Sequence, residues 1–252
     1  GDSKFHCWHD RGHGQVDLHT AVRESCDIWF YQAALKLGVD RLGEYCKMMG
    51  LGKAHALPLQ GVRAGLVPDR AWKIRRHGVP WVAGDTVVAG IGQGYFQTTP
   101  LQLAVATARI ASGKMVKPRL VMNDYDTSAM RSLPVAQKNL AIIRDAMYQV
   151  VNTQRGTAFN ISGGAMQIAG KTGSVQVRRI SEHEREFGLI EQEDLPRHQR
   201  DHAMFISYAP FDNPRWAAAC VVEHGISGSK AAAPIVNDVL QYLYKESSRS
   251  EV

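Results

Sequence analysis

The stretch Ala169-Gly170-Lys171-Thr172-Gly173-Ser174-Val175-Gln176-Val177 constrains this chain more than any other. Small residues lead in, β-branched residues alternate on the way out, and a lysine and two hydroxyls stand between them. That is the pattern of an edge strand whose polar side chains face a pocket. Thr172 and Ser174 lie two residues apart and so share one face of a strand, Lys171 adds a cation, and Gly173 lets a ligand lie close to the backbone. Such an edge grips an anionic, peptide-like ligand. Lys-Thr-Gly also recurs in ordinary turns, so the rest of the chain has to decide between the two readings.

The 252 residues, 44% of them hydrophobic, suffice for a substantial core in one large domain or two small ones. No run approaches the roughly 18 apolar residues of a membrane span, and Gly1-Asp2-Ser3-Lys4-Phe5-His6 is not a signal peptide, so a soluble chain is expected. The net charge of +6 is spread along the sequence and mixed with Trp and Glu, with no basic stripe, and no nucleic-acid partner is expected. Cys7, Cys26, Cys46 and Cys220 do not form a disulfide-scaffold pattern in a chain of this length.

The first thirty residues are dense in metal-binding side chains, among which Cys7, His13 and Cys26 have a Cys-x5-His-x12-Cys spacing. His13 stands between Gly12 and Gly14, a turn that presents the ring. Three readings fit this spacing. The residues are zinc ligands awaiting a fourth, or they pack separately, with Cys7 against Trp8 and Cys26 against the following helix, or Cys7 and Cys26 form a disulfide.

Periodicity predicts a helix over 28–37 stopped at Gly38, with Ser25 or Asp27 as its cap, and a second over 40–49 closed by Gly50. Leu51 to Thr86 reads as loop around one short helix near 69–75, because Pro and Gly interrupt every longer pattern. Gly90-Ile91-Gly92-Gln93-Gly94 is not a phosphate loop, since no Lys-Ser/Thr follows. Thr98 or Thr99 caps a helix with Pro100 in its first turn, its apolar side formed by Leu103, Ala104, Thr107 and Ile110. A strand over 115–122 and a helix over 138–151 follow. Arg178 to His202 reads as a mobile insertion beside the pocket. Strands over 203–209 and 216–223 are joined by the turn Pro210-Phe211-Asp212-Asn213-Pro214, and a helix over 231–244 carries Ile235, Val239, Leu240 and Leu243 on one side. Helices first, then an antiparallel sheet with a terminal helix, make the expected class α+β.

Taken in order, Ser25-Cys26-Asp27, Gly90-Ile91-Gly92-Gln93-Gly94 with Thr99-Pro100-Leu101-Gln102, Gly156-Thr157-Ala158 and Lys171-Thr172-Gly173-Ser174 resemble the transpeptidase domain of penicillin-binding proteins. Gly12-His13-Gly14, Phe30-Tyr31-Gln32 and Gly84-Asp85-Thr86 bring the likeness to the class B, penicillin-binding protein 2 branch. The resemblance covers nearly the whole of 1–252. It implies the penicillin-binding and serine β-lactamase-like fold, and a peptidoglycan D,D-transpeptidase that cross-links stem peptides during cell elongation. The family acts through a serine in Ser-x-x-Lys, which precedes Ser-x-Asp, and nothing upstream of Ser25 fits it. The one literal match, Ser227-Gly228-Ser229-Lys230, lies after the Lys-Thr-Gly strand, out of the family's order. The expectation is therefore a partial domain, its N-terminal portion missing, without acyl-transfer activity of its own.

By the same resemblance Ser25 passes a proton between the missing serine-lysine pair and the leaving amine. Asp27 bonds the substrate amide or orients the catalytic lysine. Lys171 holds positive potential and orients Ser25. Thr172 and Ser174 bind the substrate carboxylate beside Gly173, and the Ser174 N–H is half of an oxyanion hole. β-Lactams compete for the same grip. The resemblance also implies a structural zinc on Cys7, His13 and Cys26, completed by an acidic ligand upstream; acyl transfer itself requires no cofactor. Further implications are a periplasmic domain anchored in the inner membrane and partners among elongation-complex membrane proteins. Two rival readings are a serine β-lactamase or D,D-carboxypeptidase, which shares the fold, and a non-catalytic penicillin-binding or sensor module.

Overall fold

The fold is that of a computed structural model whose described residues are 4–121, 130–178, 184 and 188–249. The chain divides into two compact units, residues 1–146 and 147–252.

The first unit is helical: α1 (Leu18–Arg23), α2 (Asp27–Leu37), α3 (Val39–Met49), α4 (Arg70–His77), α5 (Ala83–Gly90) and α6 (Pro100–Ser112). Local chemistry sets the ends. Asp17 caps α1 by accepting from the Thr20 N–H at 2.8 Å, and Asp69 caps α4 by accepting from that of Trp72 at 2.7 Å. Thr99 and Gln102 form a reciprocal capping box on α6. Gly50, Gly78 and Gly113 end α3, α4 and α6 in the left-handed conformation. One core cluster joins Val39, Trp81 and Ala89, with Leu42, Tyr95 and Phe96 against it. Beside it Lys73 pairs with Asp85, its ammonium 5.9 Å from the Trp81 ring centroid and 5.8 Å from that of Tyr95. The long helix α7 (Gln137–Asn152) runs across the division between the units.

The second unit holds a three-stranded antiparallel sheet in the order β1 (Ala169–Val175), β2 (His202–Ala209), β3 (Trp216–Val222). Helix α8 (Ala233–Arg249) packs on β2 and β3 and buries Ala233, Val236 and Leu240. Full burial of a valine or leucine side chain such as Val236 or Leu240 contributes roughly 1.5–3 kcal/mol. Phe205, fully buried on β2, lies under β1. A Cβ at Gly170 would stand 2.4 Å from its ring, which is why the strand enters through a glycine.

Several expectations need correction. Cys26, not Ser25 or Asp27, is the N-cap of α2, and it makes no side-chain capping bond. Residues 83–86, expected as loop, are the first half of α5. On α6 the most buried residues include Gln102 and Arg109, which serve as polar anchors: the Gln102 amide donates to the carbonyls of Lys53 and Ala64, and Arg109 donates to those of Met48 and Val116. Residues 115–121 form no strand, only an isolated bridge from Lys114 to Ser132, and Met122 lies outside the described residues. On α8, Ile235 and Val239 are about half exposed, at 49% and 51%, while Val236 and Leu240 face inward. The expected insertion over 178–202 is described only in part, and its mobility stays an expectation: 179–183 and 185–187 lie outside the described residues, 192–194 and 197–199 are 3-10 turns, and Leu195 is buried.

Candidate active site

Ser25 lies in the turn between α1 and α2. Glu24 ends α1, the Ser25 N–H reaches the Val22 carbonyl at 3.4 Å, and the Cys26 N–H reaches that of Ala21 at 2.9 Å. This is a Schellman ending in which the position after the cap turns left-handed. Glycine usually stands there; Ser25 stands there at φ 56°. A non-glycine residue in this well costs about 1–2 kcal/mol, and such outliers cluster at functional sites. Asp27 opens α2, and its Oδ2 accepts from the Trp8 backbone N–H at 2.9 Å. The Trp8 indole N–H donates to the carbonyls of Ser25 at 2.9 Å and Glu24 at 3.3 Å.

Behind this turn Cys7, His13 and Cys26 come together, with their Sγ and ring-nitrogen atoms all within 4.8 Å of one another. Cys7 Sγ lies 3.4 Å from His13 Nδ1. Burial pushes the Cys26 thiol above its ordinary 9.0, and the neighbouring Cys7 adds to the push. The Tyr31 hydroxyl, raised to about 12 by burial and then by Asp27 and Cys7, donates to the His6 carbonyl at 3.2 Å. A cavity of about 330 Å³ is lined by Cys7, His13, Cys26 and Trp29 among others. Cys7 and Cys26 are free thiols, not a disulfide.

In the second unit Lys171, Thr172, Gly173 and Ser174 pair with Ile206, Phe205, Met204 and Ala203 of β2, and among the described residues β1 is an edge strand. Thr172 shares a hydrogen bond with Thr157 at 2.7 Å, so the Gly156-Thr157-Ala158 turn braces one of the strand's hydroxyls. Lys171 Nζ donates to the Thr172 carbonyl at 2.8 Å. Ser174 is exposed, and its hydroxyl donates to the Ile226 carbonyl at 3.3 Å. Gly228 sits against the same strand: a Cβ there would meet the Gly173 carbonyl oxygen at 2.6 Å and the Met204 carbonyl oxygen at 2.3 Å. Past the strand, Asp201 accepts from the Val177 N–H at 3.3 Å and from the Gln192 amide at 3.2 Å. Burial raises the Asp201 carboxyl above its ordinary 3.8.

Sequence reasoning did not find Trp8 or the brace from residues 226–228. Trp8 adjoins Cys7, but nothing in the sequence shows that its N–H groups reach Ser25 and Asp27. The literal Ser227-x-x-Lys230 match forms the start of a π-turn, in which the Ser227 hydroxyl accepts from the Lys230 N–H at 3.4 Å and Lys230 is exposed.

A helical unit carrying Ser-x-Asp at a strained turn, and an antiparallel sheet edged by Lys-Thr-Gly-Ser, define the class of active-site-serine, penicillin-recognising folds. Residues 1–241 match the penicillin binding protein transpeptidase domain. The peptidoglycan D,D-transpeptidase MrdA of Haemophilus influenzae is 36% identical over 252 residues, covering 95% of this chain and 38% of that protein. The penicillin-binding protein PBP2 of Helicobacter pylori, solved in complex with MreC, superposes with a TM-score of 0.83 at 33% identity, over 94% of this chain and 42% of that one. Pseudomonas aeruginosa PBP2, solved with WCK 5153, gives 0.80 at 37% identity, over 95% and 50%. The chain belongs to the penicillin-binding protein transpeptidase family, and it spans well under half the length of the Haemophilus relative.

Proposed function

We propose that this chain forms part of a peptidoglycan D,D-transpeptidase that cross-links stem peptides during cell elongation, and that its nucleophilic serine lies outside these 252 residues. The observation that carries the reading is β1, among the described residues an edge strand, with a cation, two hydroxyls and a close-approach glycine in sequence. A peptide ending in carboxylate can lie along such an edge by strand addition, its terminal oxygens meeting Thr172 and Ser174 in the potential of Lys171. The Ser174 N–H supplies one donor to the oxyanion. Ser25 relays the serine's proton to the departing amine, and Asp27 orients the substrate amide or the catalytic lysine. β-Lactams, which present a carboxylate beside a strained amide, enter the same grip.

Cys7, His13 and Cys26 fit a zinc ion: two thiols and an imidazole converge, and one thiol is buried. These residues would hold the metal, which would tie the segment around residue 7 to the triplet that begins at Ser25. Its chemistry would be structural. We place the whole protein in the periplasm on an inner-membrane anchor, with elongation-complex membrane proteins as partners. The MreC complex of the Helicobacter relative supports that choice. Among the described residues no helix is long and apolar enough to cross a membrane.

Labelling the intact protein with fluorescent penicillin tests the reading. A long-lived covalent adduct is expected. Rapid release of hydrolysed penicillin would make the protein a β-lactamase, and failure to label would leave a binding module.

A further inference from the structure

Trp8 is 58% exposed, yet its polar groups are turned onto the protein. Both of its N–H groups are committed to the Ser25-Cys26-Asp27 triplet. The indole N–H donates to the Ser25 carbonyl at 2.9 Å and shares the Glu24 carbonyl at 3.3 Å, and the backbone N–H donates to Asp27 Oδ2 at 2.9 Å. The ring also meets that of His13 edge-on, 5.7 Å between centroids, and Cys7 is the preceding residue. Trp8 thus touches both outer members of the triplet and adjoins the Cys7, His13, Cys26 cluster.

The indole bond falls on the carbonyl of a non-glycine residue with a left-handed backbone. Ser25 at φ 56° holds its left-handed conformation only while its surroundings over-determine it. Its carbonyl carbon and its Cβ are bonded to the same Cα, so a donor that holds the peptide plane also holds the Cα–Cβ direction from which the hydroxyl's rotamer is set. A hydroxyl that relays a proton must sit within a few tenths of an ångström of both partners.

We propose that Trp8 is a positioning residue for acyl transfer: its indole N–H holds the Ser25 peptide, its backbone N–H holds the Asp27 carboxylate, and so the two side chains keep a common frame. This rests on the reading of Ser25 and Asp27 as catalytic groups. The role differs from packing because the working atom is the indole nitrogen, which contributes little to buried area.

The test uses the intact protein with Trp8→Phe, which keeps a ring and the backbone N–H and deletes the indole donor. A second variant carries benzothienylalanine at position 8, which matches the indole in size and lacks only the N–H. Both are expected to lower the maximal rate of acylation by fluorescent penicillin about three- to tenfold, with half-saturation and zinc content unchanged. In a Ser25→Ala background neither should lower the rate further, because the two residues act through one interaction. Wild-type rates in both variants would overturn the proposal. So would losses that add to that of Ser25→Ala, or losses that follow metal content or folded fraction. If the unsubstituted protein is not acylated at all, the functional reading fails instead, and the two failures are distinct.

Discussion

Ser25 places conformational strain at the position proposed for the proton relay. After the end of α1 the chain must turn left-handed, glycine would do so without strain, and serine is there at φ 56°. If the hydroxyl is the reason, stability and activity must separate on substitution. Ser25→Gly is expected to raise the unfolding midpoint by ~2–4 °C through relief of the left-handed penalty, and to lower penicillin acylation by about a hundredfold or more. Ser25→Ala keeps the strain and loses the hydroxyl, so it should lose the same activity with little change in midpoint. Thermal unfolding and acylation rates on the two variants check this, and a lower midpoint for Ser25→Gly would contradict the strain. The chemistry-bearing residue types were readable from sequence because serine, aspartate and lysine declare themselves. The left-handed turn was not, because no glycine or asparagine marks it, and the Trp8 bonds were not, because an indole N–H carries no sequence signal.

Elements were legible where punctuation and packing agree. Helices α2 and α3 end at Gly38 and Gly50, and β2 and β3 are set off by the turn over 210–214, so their bounds are close to those read from sequence. Helix α5 was missed because Gly84 read as a breaker and Gly90 as the start of a glycine-rich run. Gly90 is instead a contact residue: a Cβ there would stand 2.5 Å from the Ala34 Cβ and 3.0 Å from the Phe30 carbonyl oxygen, so the glycine lets α5 lie close on α2. On α6 Thr107 is fully buried as read, but Gln102 and Arg109 were missed because they are buried by backbone carbonyls from distant loops, and single-helix periodicity contains no such partners. Helix α4 yields a prediction at this scale. The Trp72 N–H, and then Lys47, hold the Asp69 carboxyl below its ordinary 3.8. A depressed carboxylate stabilises fully above the ordinary value, and the contribution is lost as pH falls through the lower folded value. Asp69→Ala should therefore cost about 1 kcal/mol at pH 7, and its deficit relative to the unsubstituted protein should shrink in acid below 3.8. Midpoints measured from pH 7 to pH 2 check the sign, and a deficit that grows in acid would refute it.

At the scale of the first helical unit, residues 5–17 include no helix or strand, yet this segment supplies Cys7 and His13 to the cluster and Trp8 to the triplet. A segment without its own ladder of hydrogen bonds needs another reason to stay put, and closing the loop from Cys7 to Cys26 through a metal is one. A ligand bound only by the folded form stabilises it by about 2.7 kcal/mol at a hundredfold excess over its dissociation constant, which in a unit of this size moves a midpoint by ~5–10 °C. The intact protein is therefore expected to hold one zinc per chain, and a strong chelator should lower its midpoint by that amount. Cys26→Ser should lower the midpoint similarly and remove the response to chelator. Cys46, half-buried on α3, with a thiol that burial raises to about 11 and outside the cluster, is the control: Cys46→Ser should keep both the zinc and the response. Zinc-free protein by elemental analysis, or a Cys26→Ser midpoint equal to that of the unsubstituted protein, would return the cluster to packing. The Trp8 bonds would then be what holds the segment against the Ser25 turn.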